Sequence, residues 1–203
     1  YKMPYLCTIA MTPAFQAKIL ESYDKYKYGF RLGLNSPGAV MIISELMGFL
    51  SKEFRFKSAY LVFQDVLWAT STADGLSKYM KGAGWEVVGY DAYPTGATEF
   101  SASLIKAKDA KAQVIVPIFD MPQAGALLKQ ARAMKVPALL CGFISPAAPG
   151  NAWSVFEGEV EGMVQGMWEI GEIPVKAVPK SVEFYEAYGK RWGEAAQIRL
   201  SGH

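Results

Sequence analysis

Ser58-Ala59-Tyr60-Leu61-Val62-Phe63-Gln64-Asp65 opens a pattern that repeats to residue 143. The apolar run from Ala59 to Phe63 is too short for a helix, and polar residues bound it, so it reads as a strand buried on both faces. After it, Ala73, Leu76, Met80 and Ala83 recur at helical spacing, and Gly82-Ala83-Gly84 supplies a stop. Trp85 to Tyr90 reads as a second strand, rich in aromatic and β-branched residues.

The same alternation continues. Thr98 is the expected N-cap of a helix that turns Phe100, Leu104 and Ala107 inward. Gln113 to Phe119 reads as a third strand. Pro122 opens a helix with Ala124, Leu127, Leu128, Ala131 and Met134 inward, and Ala138 to Phe143 reads as a fourth strand. Strands alternating with helices predict an α/β fold, a parallel Rossmann-like sheet with helices on both faces.

Outward from this block the pattern is less regular. Pro4 to Ala10 reads as a strand with no adjacent partner before residue 58, so it is expected at an edge or in a sheet whose other strands lie elsewhere. Pro37 to Leu50 reads as a helix with Val40, Ile43, Met47 and Leu50 inward. Ser145 to Gly158 reads as loop, and Ser181 to Trp192 as a polar helix with Phe184, Tyr188 and Trp192 on one stripe.

Composition narrows the function classes. The 203 residues carry a net charge of +2, from 21 basic and 19 acidic side chains mixed along the chain. No basic block marks a nucleic-acid or membrane surface, and no apolar run approaches the roughly 20 residues that span a bilayer. Tyr1 to Tyr5 has no signal-peptide pattern, as in a mature exported chain. The one histidine is His203, which argues against histidine-based zinc sites and histidine-dependent triads. Cys7 and Cys141 are expected as buried free thiols, with a single bridge as the alternative.

Catalytic patterns are missing. No Gly-x-Gly-x-x-Gly, P-loop or Gly-x-Ser-x-Gly occurs. Glu157, Glu159 and Glu161 fall on one side of an expected strand and read as a solvated face. Asp65 follows the first strand of the repeating block without a histidine, lysine or second acid to complete a site. Open α/β sheets bind ligands at the carboxyl ends of their strands. Trp68, Phe119 with Asp120, and Phe143 fall there: each aromatic alone reads better as core packing, but together they give an aromatic-lined cleft with one or two polar anchors.

The motifs also carry a resemblance. Tyr28-Gly29-Phe30-Arg31, Lys57 to Asp65, Trp68-Ala69, Gly84-Trp85-Glu86-Val87-Val88, Thr98-Glu99-Phe100-Ser101-Ala102, Asp120-Met121-Pro122, Leu128-Lys129-Gln130-Ala131-Arg132 and Gly158 to Gly166 stand in family order. In order and spacing over roughly residues 4 to 200, the chain resembles type I periplasmic substrate-binding proteins of branched-chain amino-acid-type ABC transporters, the Leu/Ile/Val-binding family. The resemblance implies an incomplete two-lobe fold. Residues 1–30 would be a remnant of the first lobe and hinge-proximal segment, 31–165 the second α/β lobe, and 166–203 a return toward the hinge and a helix, with the fragment lacking most of the N-terminal lobe and the C-terminal end.

The resemblance implies a function as well: an extracytoplasmic, periplasmic solute-binding component of an ABC importer. A small carboxylate, aromatic acid or amino acid would be trapped between the lobes, and an ABC permease would be the partner. It implies no catalytic residue, metal or cofactor. Carried over, the loop Cys7 to Thr12 would hold a ligand carboxylate by backbone N–H groups and a hydroxyl, with Thr8, Ala10 and Thr12 as candidates. Trp68 would form the aromatic wall, and Phe119, Asp120 and Phe143 would face the ligand. Ile144 falls where amino-acid binders place an acid for the ligand ammonium. Either Asp120 supplies that counter-charge or the ligand has no amine, the second being preferred. Asp120 as a helix cap is the plainer alternative. The rival readings are a ligand-sensing domain of a receptor or amide-responsive regulator with the same fold, and an α/β enzyme. Weak ligand binding and self-association through an exposed hinge edge are expected of the chain by itself.

Overall fold

The computed structural model describes residues 3–8, 10–149, 151–166 and 176–193. The elements run β1 (Tyr5–Cys7), α1 (Ala14–Glu21), α2 (Tyr23–Tyr26), β2 (Gly29–Arg31), α3 (Ser36–Phe54), β3 (Ser58–Gln64), α4 (Leu67–Gly82) and β4 (Glu86–Tyr93). They continue with α5 (Ser101–Asp109), β5 (Val114–Phe119), α6 (Gly125–Ala133), β6 (Leu139–Ile144), α7 (Ala152–Val155), β7 (Val164–Gln165) and α8 (Pro179–Trp192). None of the described helices is long and apolar enough to cross a membrane.

The main sheet has five parallel strands in the order β4-β3-β5-β6-β7. Period-2 alternation sorts its side chains onto two faces. Ala59, Leu61, Phe63, Val114, Val116 and Ile118 pack with Ile43 and Met47 of α3 and Leu76 and Met80 of α4. Tyr60, Val62, Ile115 and Phe119 pack with Leu104 of α5 and Leu127 and Leu128 of α6. Both faces are covered, which is why β5 is buried at every position.

Pro117 lies inside this central strand, where proline removes a ladder donor. The β5–β6 pairing skips from Ile115↔Leu140 to Ile118↔Phe143, and the gap faces Gly142. A Cβ on Gly142 would come within 2.3 Å of the Pro117 carbonyl oxygen and 2.8 Å of its ring Cδ. Glycine at 142 is therefore what lets a proline-bearing strand sit in mid-sheet.

Several expectations need correction. The strand expected over residues 4–10 has a partner: β1 pairs in parallel with β2, Tyr5 opposite Gly29 and Cys7 opposite Arg31. Three residues gave too weak a periodic signal to read β2 as its neighbour. Thr98 does not cap α5; Phe100 occupies the cap position without a side-chain bond, and the Glu99 carboxylate accepts from the Ser101 amide at 2.9 Å. Ala83 ends α4 in solvent instead of facing inward. Glu157, Glu159 and Glu161 occupy turns, not a strand, because positive φ at Glu157, Gly158 and Gly162 breaks extended structure there. The α8 stripe is real, with Phe184 and Tyr188 in ring contact, yet no α8 residue is buried. Cys7 and Cys141 are buried free thiols, and burial pushes the Cys141 thiol up to about 12. His203 lies outside the described residues.

Candidate binding cleft

The strand order reverses between β3 and β5. From β3 the chain crosses through α4 to β4 on one side, whereas from β5 it crosses through α6 to β6 on the other. Such a switch point leaves a crevice beyond the carboxyl ends of the two strands. Trp68, in the first turn of α4, donates its indole N–H to Asp120 Oδ2 at 2.8 Å across this crevice. Phe143, at the end of β6, meets the Trp68 ring edge to face at 6.3 Å between centroids and 80° between planes. Trp68 is half-buried and Asp120 exposed, so this wall opens to solvent.

Beneath the wall lies Gln64, 3% exposed, the last residue of β3. Its Oε1 accepts from the Asp120 and Met121 amides at 3.2 and 3.3 Å, and its Nε2 donates to Thr95 Oγ1 at 3.0 Å. One amide side chain thus ties two loops to the end of β3 while leaving none of its own polar atoms unpaired. The sequence holds a signal for it, a polar residue closing an otherwise apolar strand, which by itself marks only a strand boundary.

The loop after β1 is fastened by its carbonyls. Cys7 Sγ donates to Ala10 O at 3.8 Å, the Ser36 amide to Met11 O at 3.0 Å, and Arg31 Nη2 to Thr12 O at 2.6 Å. The Arg31 guanidinium also stacks over Phe15, 5.1 Å from its ring centroid. Thr12 Oγ1 accepts from the Ala14 amide at 3.3 Å, closing a short turn ahead of α1. Among the described residues the Met11 and Thr12 amides have no acceptor. Acceptors are committed to the protein and donors are left open, an arrangement suited to an anion.

The expected site residues divide accordingly. Trp68, Asp120 and Phe143 come together at the crevice. Thr8 and Ala10 are exposed and Thr12 half-buried on the β1 loop, which reaches Trp68 through Ser36, whose Oγ lies 3.1 Å from both the Met11 and the Trp68 carbonyls. Phe119 lies away from the crevice. It is 0% exposed and packs edge to face with Phe100 at 5.6 Å, because strand alternation turns it to the α5–α6 side. Ile144 is likewise buried in that core. A side chain at 144 points away from the crevice, so its identity does not report on a ligand ammonium. Asp120 caps no helix: the following turn begins after Met121 without a side-chain bond. Asp65 is exposed, and no three His, Cys, Asp or Glu side chains gather as a metal site among the described residues.

Residues 2–201 match the family model described as periplasmic binding protein. The chain belongs to the periplasmic binding protein family. It is a family of solute-binding proteins, not enzymes. No curated protein matches the chain.

Solved periplasmic binding proteins share the fold. The type 1 periplasmic binding protein from Bordetella pertussis Tohama I superimposes with a TM-score of 0.74 at 20% identity, over 94% of this chain and 49% of that one. An ABC transporter solute-binding protein from R. palustris, solved in complex with 4-hydroxybenzoate, gives 0.75 at 12% identity, over 98% and 57%. The leucine-, isoleucine-, valine-, threonine- and alanine-binding protein from Brucella ovis, in its closed conformation, gives 0.64 at 20% identity, over 80% and 40%. The chain spans about half the length of the structures it matches.

Proposed function

We propose that this chain is part of the extracytoplasmic solute-binding component of an ABC importer, and that its ligand is a small carboxylate with an aromatic or aliphatic body. Residues 1–30 and 166–203 are assigned to the first lobe and hinge, and residues 31–165 to the second lobe. The observation that carries the reading is the Trp68–Asp120 bond across the switch point, with Phe143 edge-on behind it. A flat apolar body would lie against the Trp68 ring, which Phe143 backs, and its carboxylate would reach the open amides of Met11 and Thr12. An ABC permease is the implied partner.

Two further points support a ligand without an amine. Two R. palustris solute-binding proteins of this fold were solved with benzoate and 4-hydroxybenzoate. Asp120 is also exposed and already bonded to Trp68. Its Oδ1 takes no donor from the described residues and can accept from a ligand hydroxyl, so an ammonium is not needed to satisfy it.

A thermal-shift screen of the full-length protein tests this. A ligand at about 100 times its dissociation constant adds roughly 2.7 kcal/mol of stability. Benzoate and its hydroxylated relatives should raise the melting temperature more than leucine, valine or alanine. Stabilisation by amino acids alone would overturn the preference and make Asp120 the partner of the ammonium.

A further inference from the structure

Ser36 is 1% exposed, and three hydrogen bonds converge on it from two distant segments. Its amide and Oγ both address Met11 O, at 3.0 and 3.1 Å, while Oγ also lies 3.1 Å from Trp68 O. A hydroxyl has one proton, so these two carbonyls share it. Met11 belongs to the loop with open amides and Trp68 to the aromatic wall. Among the described residues no other side-chain bond joins them: Thr72 Oγ1 also reaches Trp68 O, at 2.7 Å, but from within α4 itself.

Ser36 is presented from a rigid base. It is the first residue of α3, whose start is fixed by Asn35 Oδ1 accepting from the Gly38 amide at 3.0 Å. Pro37 presets the first turn, and Ile43, Met47 and Leu50 seat the helix on the sheet. A short side chain on such a base holds its two partners at a set separation.

We propose that Ser36 is a positioning residue that fixes the distance between the Met11–Thr12 segment and Trp68, and so selects the length of the ligand held between them. Ser36 does not touch the ligand in this arrangement; it acts through both ends of the cleft. The inference rests on the reading that those two ends hold a carboxylate and its apolar body.

Two measurements on the full chain test it. The first compares benzoate with phenylacetate, which differ by one methylene, a difference worth roughly 10–200-fold in a fitted pocket. The wild type should separate them by at least about tenfold, Ser36→Thr should keep the ratio, and Ser36→Ala should bring it toward unity. A folded Ser36→Ala protein with an unchanged ratio would overturn the proposal and leave Ser36 a purely structural residue. If Ser36→Ala does not fold, Ser36→Cys, of similar size but a poorer donor, replaces it.

The second measurement needs no ligand. Spin labels at the exposed positions Thr8→Cys and Leu67→Cys read the separation of the two walls by electron paramagnetic resonance. The distance distribution should broaden when Ser36→Ala is added. An unchanged width would overturn the tether whether or not any carboxylate binds. Failure of both carboxylates to bind the wild type would instead sink the proposed function, with the tether still decided by the spin labels.

Discussion

Trp68 Nε1 and Asp120 Oδ2 meet at 2.8 Å although 52 residues separate them, and the bond crosses the line where the sheet reverses its strand order. It orients the indole so that Phe143 contacts it edge to face at 6.3 Å. A hydrogen bond to a carboxylate is stronger than one between neutral groups, but Asp120 is exposed, so solvent takes back much of that gain. The bond's main effect is on orientation, not on stability.

Trp68→Phe keeps an aromatic ring and removes the donor. It should cost about 1 kcal/mol or less in urea denaturation, while weakening aromatic carboxylates by about tenfold in calorimetry as the ring loses its fixed plane. Asp120→Asn separates the ligand classes. It should leave benzoate binding intact and abolish any binding that depends on an ammonium group.

Phe119 and Phe143 fall in register-adjacent strand ends but should behave differently on truncation. Phe119→Ala opens a cavity in the α5–α6 core and should cost about 3–5 kcal/mol. Phe143, 4% exposed, should also cost stability on truncation to Ala, but that variant removes the ring behind Trp68 and should in addition lower the ligand affinity of the folded protein. Denaturation curves and titrations on both variants check the contrast. Equal losses of affinity in the two folded variants would restore Phe119 to the site.

Asp91 anchors α5 to the sheet. Its Oδ2 accepts from Tyr60 at 2.6 Å and Ser103 at 2.5 Å, and Lys106 lies 3.2 Å away. Burial pushes its carboxyl up, but the bonds from Ser103, Tyr60 and Lys106 outweigh that and hold it below its usual 3.8. Burial, then the bond to Asp91, raises the Tyr60 phenol above its ordinary value. On unfolding the Asp91 carboxyl returns to its ordinary value. Its contribution is therefore complete above about pH 4 and is lost as pH falls through the folded value. Asp91→Asn should be less stable than wild type at pH 7, and the gap should narrow in melts run below about pH 4.

Gly142→Ala places a methyl group against the Pro117 backbone, which cannot swing aside as a flexible side chain would. Overpacking costs about 1–3 kcal/mol, and contact with backbone puts this site at the upper end. A loss below about 0.5 kcal/mol in chemical denaturation would show that β5 and β6 can separate locally. Restoring the ladder donor with Pro117→Val should not rescue the variant, because the Cβ still meets a carbonyl oxygen.

The parallel α/β architecture and the core faces of α3 to α6 are legible in the order of residues alone. Such patterns are local properties: the unbroken apolar runs of β3 and β5 and the helical spacing at Ile43, Met47, Leu76 and Leu104 are set within a few residues of chain. The position of Trp68 at a strand's carboxyl end was legible for the same reason. Tertiary structure decided what local pattern cannot encode. It paired β1 with the three-residue β2, turned Phe119 and Ile144 inward while leaving Phe143 against Trp68, and opposed Gly142 to Pro117. It also brought Ser36 and Gln64 to the cleft, each through bonds to residues at least 25 positions away. Those contacts depend on strand order and on the depth at which each chain segment crosses the sheet, and both are set only when the whole core packs.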